Sequence, residues 1–225
     1  MIIAAVLCPW TPLIVSELTG GDDVLPDLRR SCAEATGRLV QARPDLVAVV
    51  GPDTETRRWD PRSPLDLSIF APALGRTGDP ALPPAIGLGA FLLDQAGYQG
   101  PRILQAVAEH ESVASCAELG GMIGRSAARV GLLAMGDGSA RRSRRAPGHF
   151  DERAAEFDAG AERALSRGDL DALLAISPAL ARELMATGRP AWQVLAGAVR
   201  PATPATEVLY ADAPFGVSYM VAFMN

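Results

Sequence analysis

The 225-residue chain contains no lysine, two histidines and three cysteines, and only 5% of its residues are aromatic. Each shortage excludes something. Without lysine there is no Walker-type phosphate loop. All 21 basic residues are arginine, and the net charge of −5 argues against general nucleic-acid binding, leaving room only for a local basic patch. Cys8, Cys32 and Cys116 are odd in number and lack metal-ligand spacing, so reduced packing residues of a cytoplasmic protein are expected. Every apolar run is broken well before the ~18 residues that a membrane-spanning helix needs. The opening segment from Met1 to Cys8 has no basic flank and is soon followed by Pro9 and Pro12. It reads as a first β-strand rather than a signal peptide.

What is present suits a buried core. With 48% hydrophobic residues, the chain is long enough for a single domain over residues 1–225. Short apolar runs alternate with amphipathic stretches, the pattern of a layered α/β domain with a central mixed sheet flanked by helices. Strands are expected at residues 2–7, 46–50, 65–70, 103–108 and 130–135, with a closing hairpin from 206–210 and 217–223. The runs at 46–50 and 130–135 are almost continuously apolar, as strands covered on both faces are. Helices are expected at 27–41, 84–96 and 115–128, then from Asp151 to Arg167, with Gly168 as the stop. Asp169 starts another. Ser177-Pro178 starts the next, which is expected to run to Gly188 and be followed by one holding Trp192 and Leu195.

Chemistry concentrates after the strand at 130–135. Gly136-Asp137-Gly138-Ser139 closes that strand, and Arg141, Arg142, Arg144, Arg145 and His149 follow within ten residues of it. Glycines at a strand end let a ligand approach the backbone, and guanidinium groups are suited to carboxylate or phosphate. The loop therefore reads either as an anion pocket for a small acidic metabolite or as a solvated basic loop whose arginines pair with carboxylates of the chain. Asp137 can serve that pocket or simply shape the turn. The second histidine, His110, follows the strand at 103–108. Both histidines lie at strand ends, the side of an open α/β sheet where ligands bind.

The order of these motifs resembles the class III extradiol ring-cleavage dioxygenases, B-subunit superfamily. The likeness rests on Leu7-Cys-Pro-Trp-Thr-Pro-Leu, Val49-Val50-Gly51-Pro52-Asp53, the Gly-Asp-Gly-Ser loop, Phe150-Asp151 with Glu156-Phe157-Asp158, Gly168-Asp169, Pro190 to Ala198 and Ala213 to Tyr219. It covers most of the chain. Members hold ferrous iron with two histidines and a glutamate, and a further histidine is the acid/base group of ring opening. Carried onto this chain, the first ligand falls on Trp10 and the second on Pro52 or Asp53. The glutamate falls within residues 183–186, and the acid/base histidine on Ala140. Indole nitrogen is only a donor and alanine does not titrate. The resemblance thus implies the family's fold without its iron or its ring cleavage, and no cofactor is expected.

Trp10 is expected either to fill the vacated site as core or to turn it into an apolar cleft. Trp10, Asp53, Asp137, Ser139, Arg141, Arg142 and His149 are the candidate cleft residues. The leading expectation is a catalytically degenerate small-molecule (anion) binding or protein-interaction module. The alternative is an enzyme of the same fold with altered, metal-dependent or hydrolytic chemistry in the strand-end cleft. The resemblance also implies a homodimer or a companion subunit, which an exposed face bearing Phe70, Phe91 or residues 219–223 would support.

Overall fold

The computed structural model describes the chain apart from residues 20–23, 67–69, 71–80 and 203 and the side chain of residue 17. Seven strands form one mixed sheet: β1 (Ile2–Cys8), β2 (Leu46–Asp53), β3 (Arg57–Trp59), β4 (Arg102–Ala108), β5 (Val130–Met135), β6 (Thr206–Asp212) and β7 (Tyr219–Met224), in the order β3-β4-β2-β5-β1-β7-β6. The four central strands β4, β2, β5 and β1 are parallel. β3, β7 and β6 are each antiparallel to a neighbour. All six residues of β5 are buried, as its continuous apolar run requires.

Helices cover both faces. α1 (Pro26–Gln41) and α2 (Pro84–Gln95) lie on one. α3 (Val113–Gly124), α4 (Arg153–Arg167), α5 (Leu170–Leu174) and α7 (Arg189–Val199) pack on the other. α6 (Pro178–Glu183) is a short connector. Leu28, Cys32, Ala35 and Leu39 are the buried stripe of α1. The three cysteines are free and buried. Among the described residues, no helix is long and apolar enough to cross a membrane.

The layered mixed sheet is as expected, and four details differ. β3 was not anticipated, because a three-residue Arg-Arg-Trp segment has no apolar alternation. It pairs with β4, and Arg57 stacks 3.7 Å over the Trp59 ring. The strand expected at 65–70 is represented by a single bridge from Leu65 to Leu82, and residues 67–69 lie outside the described residues. α3 begins two residues earlier than expected, because Ser112 caps it by accepting from the Ser115 N–H, and ends at Gly124, four residues short of the expected Ala128. The helix expected to reach Gly188 stops at Glu183. A continuing helix would pair the Leu184 carbonyl with the Gly188 N–H. Instead the Leu184 carbonyl accepts from Ala140 and the Gly188 N–H donates to the Asp137 carbonyl. Met185 takes a left-handed φ of 56° in the resulting turn.

The apolar residues expected to mark an assembly face are mostly internal. Phe91 packs against the core, and Tyr219 to Phe223 belongs to β7, which is covered by β1 and β6. α3 and α7 approach until their backbones meet. A β-carbon on Gly120 would lie 2.1 Å from the Val194 carbonyl oxygen, and one on Gly197 would lie 2.4 Å from that of Ala117. Backbone cannot step aside as a side chain can, so Gly120→Val is expected to cost at least about 2 kcal/mol. Urea unfolding followed by circular dichroism measures that loss, with Gly37→Val, where a β-carbon meets nothing within 4 Å, as the control.

Candidate functional site

The C-terminal ends of β1, β2, β4 and β5 lie side by side, so the residues that follow them share one rim. β5 ends because Gly136 still donates to the Cys8 carbonyl while the next residues turn away. A β-carbon on Gly136 would sit 2.3 Å from Gly188 Cα, so only glycine allows the α7 start to approach.

From there a series of hydrogen bonds ties the loop to its neighbours. Asp137 Oδ1 accepts from the Trp10 N–H at 3.0 Å, joining the ends of β1 and β5. Gly138 donates to the Ser218 carbonyl, and Ser218 donates back to that of Ser139. Ser139 is fully buried. Its N–H donates to Asp158 Oδ1 at 2.8 Å and its hydroxyl to Asp158 Oδ2 at 2.6 Å. Arg142 reaches the same Oδ2 at 3.2 Å. Burial raises the Asp158 pKa while Ser139 and Arg142 pull it back. Asp158, on α4, is the residue that fixes this loop to the helix layer.

Asp137 is only 9% exposed. Burial pushes its carboxyl up to about 7, against a smaller downward pull from the Trp10 N–H. Trp10 is half-buried, packs against the core, and donates its indole N–H to Thr187 Oγ1 at 2.9 Å. The indole therefore closes the space between β1 and the turn after α6.

A cleft of about 510 Å³ remains beside it. Asp53, Thr54, Glu109 and His110 line one wall from the ends of β2 and β4, and Arg182, Met185, Thr187 and Arg189 line the other. Arg189 is 1% exposed. Its guanidinium donates to the Glu111 carbonyl at 2.6 Å, to Gln193 Oε1 at 3.0 Å and to the Glu109 carbonyl. Burial lowers its pKa. It holds the start of α7 against the loop after β4, and among the described residues it makes no ion pair with a carboxylate.

Of the residues singled out from sequence, Trp10, Asp137 and Ser139 come together, and Asp53 faces the cleft. Arg141 and Arg142 do not line the cleft. Arg141 donates to the carbonyls of Gly148 and Glu183 and lies 3.8 Å from Asp151, while Arg142 is held by Asp158. Both serve the alternative of arginines paired within the chain. His149 is exposed at a left-handed φ of 58° and stays outside the cleft. His110 lines it. Asp158 and Arg189 were missed. The one available hint for Arg189 was a cation in the first turn of a helix, where the helix dipole disfavours it.

The residues present do not fit the ferrous ion that the resemblance implies for the family. Where the resemblance places the first ligand, Trp10 carries an indole already donating to Thr187. Asp53 accepts from the Thr54 N–H. Glu183 is exposed and paired with Arg153 at 2.7 Å. Among the described residues, no three His, Cys, Asp or Glu side chains gather as a metal site requires.

The Asp137 carboxyl gives a pH signature. Its folded pKa lies above the unfolded value of 3.8, so both states hold the proton below about pH 4. Between about pH 4 and about pH 7 only the unfolded state ionises, and the stability conferred by protonated Asp137 is lost as pH rises. Asp137→Asn is expected to remove that decline and to raise stability at pH 8 by roughly 2–4 kcal/mol, measured by denaturant unfolding across the range. Asp158→Ala is expected to lower stability by about 3 kcal/mol or more, because it strands the buried Ser139 hydroxyl and N–H and the Arg142 charge.

No protein-family model matches this chain, and no curated protein matches it in sequence. Among solved structures it is similar to the crystal structure of uncharacterized protein JW3007 from Escherichia coli K12, with a TM-score of 0.55 and 14% identity over 98% of each chain. At that identity the likeness shows a shared fold.

Proposed function

We propose that this chain is a catalytically degenerate relative of the extradiol dioxygenase B subunits that binds a small acidic molecule in the strand-end cleft. What supports this reading is a packed indole, at the position on which the resemblance places a metal ligand, beside a cleft that stays open. Trp10 spends its indole N–H on Thr187, yet about 510 Å³ persists between β2, β4 and the α6–α7 turn. That volume falls in the range used for small ligands.

Two arginines of the wall favour an acidic ligand. Arg182 is exposed at the cleft, and Arg189 is a buried cation whose hydrogen-bond acceptors are main-chain carbonyls, an amide and the Cys116 sulfur. Glu111 and Glu109 favour the Arg189 charge only from beyond ion-pair distance and burial still lowers its pKa, so a ligand carboxylate or phosphate nearby would offset part of the cost of burying it. Asp53 and Glu109 on the facing wall disfavour a ligand bearing several negative charges.

A second reading has one observation behind it. His110 lines the cleft with Asp53 and Glu109, a set of groups able to move protons. On that reading the protein is an enzyme with altered, hydrolytic or metal-dependent chemistry. A single set of measurements separates the two. Under anaerobic titration with ferrous iron, the binding reading expects no stoichiometric uptake, and no catechol-dependent oxygen consumption once air is admitted. Small carboxylates are expected to raise the melting temperature where their amides do not, and Arg182→Gln is expected to weaken their binding about tenfold. One iron per chain, lost in His110→Ala, would overturn it in favour of the enzyme.

A further inference from the structure

Six large hydrophobic side chains are more than two-fifths exposed among the described residues, and three of them border the arginine loop. These are Phe150 at 57%, Phe215 at 47% and Met185 at 45%. Met185 abuts Gly148, where an added β-carbon would meet its sulfur at 2.6 Å. Gly216, next to Phe215, lies against Ser143 and Ala146, and its carbonyl accepts from the Arg142 N–H at 3.0 Å. Phe150 follows His149 directly, and the Asp151 N–H closes on the Arg141 carbonyl at 3.0 Å. Single exposed apolar residues need no explanation, whereas a group of them at one place does.

The loop that carries the group is held in shape. Ala146 donates to the Ser143 carbonyl, His149 to that of Ala146 and Gly148 to that of Ala140. Arg144, Arg145 and His149 are exposed on it. Among the described residues neither Arg144 nor Arg145 makes an ion pair, unlike Arg141 and Arg142, whose charges are spent inside the chain. Phenylalanine, methionine and arginine are the residue types that concentrate at the centres of protein interfaces.

We propose that this Phe150–Phe215–Met185 patch with Arg144 and Arg145 is a docking surface for an acidic, hydrophobic-bearing segment of a companion protein. The charge selects the partner. Two free arginines amid aromatic side chains call for carboxylates interleaved with apolar groups. A second copy placed about a two-fold axis on this patch would bring Arg144 and Arg145 against their own like charges. Nucleic acid has no aliphatic or phenyl groups to cover Phe150, Phe215 and Met185, and an extended anionic membrane sets far more charge against a chain of net charge −5 than a short segment does.

The test titrates the full chain into a fluorescein-labelled twelve-residue peptide of alternating Glu and Asp with Leu and Phe, read by anisotropy. Parallel titrations use a lysine-for-acid peptide, phosphatidylserine vesicles and an oligothymidylate. Saturable, salt-sensitive binding of the acidic peptide alone is expected. It should weaken about tenfold or more in R144E/R145E and in F150S/F215S, both of which lie on the surface and should keep their melting temperatures. No saturation by the acidic peptide, equal binding by both variants, or preference for vesicles or oligothymidylate overturns the proposal. So does a dimer in sedimentation that R144E/R145E dissolves, which would assign the patch to a second copy.

Discussion

The strand-end loop depends on one carboxylate, that of Asp158. Three donors converge on it from the segment that follows β5: the Ser139 N–H, the Ser139 hydroxyl and the Arg142 guanidinium. A buried main-chain group must find a partner, and there is no regular strand or helix here to supply one. Asp158 supplies it from α4, so the register between the sheet and that helix decides where Gly136 to Ala140 can run. The rest of the rim follows from that position. Asp137 reaches Trp10, Ala140 captures the Leu184 carbonyl, and Asp137 captures the Gly188 N–H. α6 ends early because those captured groups are the ones it needed to continue.

Two buried charged groups at this rim behave in opposite ways for the same reason. Desolvation disfavours the ionised form of each, raising the Asp137 pKa and lowering that of Arg189. Asp137 has one main-chain donor to oppose the shift, whereas at Arg189 Cys116 and the Glu111 and Glu109 charges oppose it, and two carbonyls and the Gln193 amide oxygen fix the guanidinium in place. Arg189 thereby acts as a brace between α7 and the loop after β4, and its neighbourhood forms a cleft wall instead of collapsing. Tryptophan at position 10 completes the arrangement. Its indole packs there without closing the space beyond Thr187.

The arginine loop shows how one sequence feature divides into two structural roles. Arg141 and Arg142 face inward to carbonyls and carboxylates of the chain, and Arg144 and Arg145 stand outside. Adjacent residues differ because the turn at Ser143 to Ala146 rotates the chain between them.

The layered α/β organisation, the buried β5 run, the α1 stripe and the stop at Gly168 were legible in the sequence, because periodicity and capping are local properties of the chain. Asp137 and Ser139 were legible from the glycines that close a strand, whereas Trp10 was set beside them only by the family resemblance. The early end of α6, the capture of Arg142 by Asp158 and the brace made by Arg189 were not. Each depends on which of several distant donors and acceptors a buried group meets first, and no spacing along the chain records that competition. The sequence by itself determined most of the elements and that only two histidines, His110 and His149, are there to serve any site. Only the tertiary structure decided which charges are spent inside, which stand exposed and where space remains, because hydrogen-bond partners are assigned by packing.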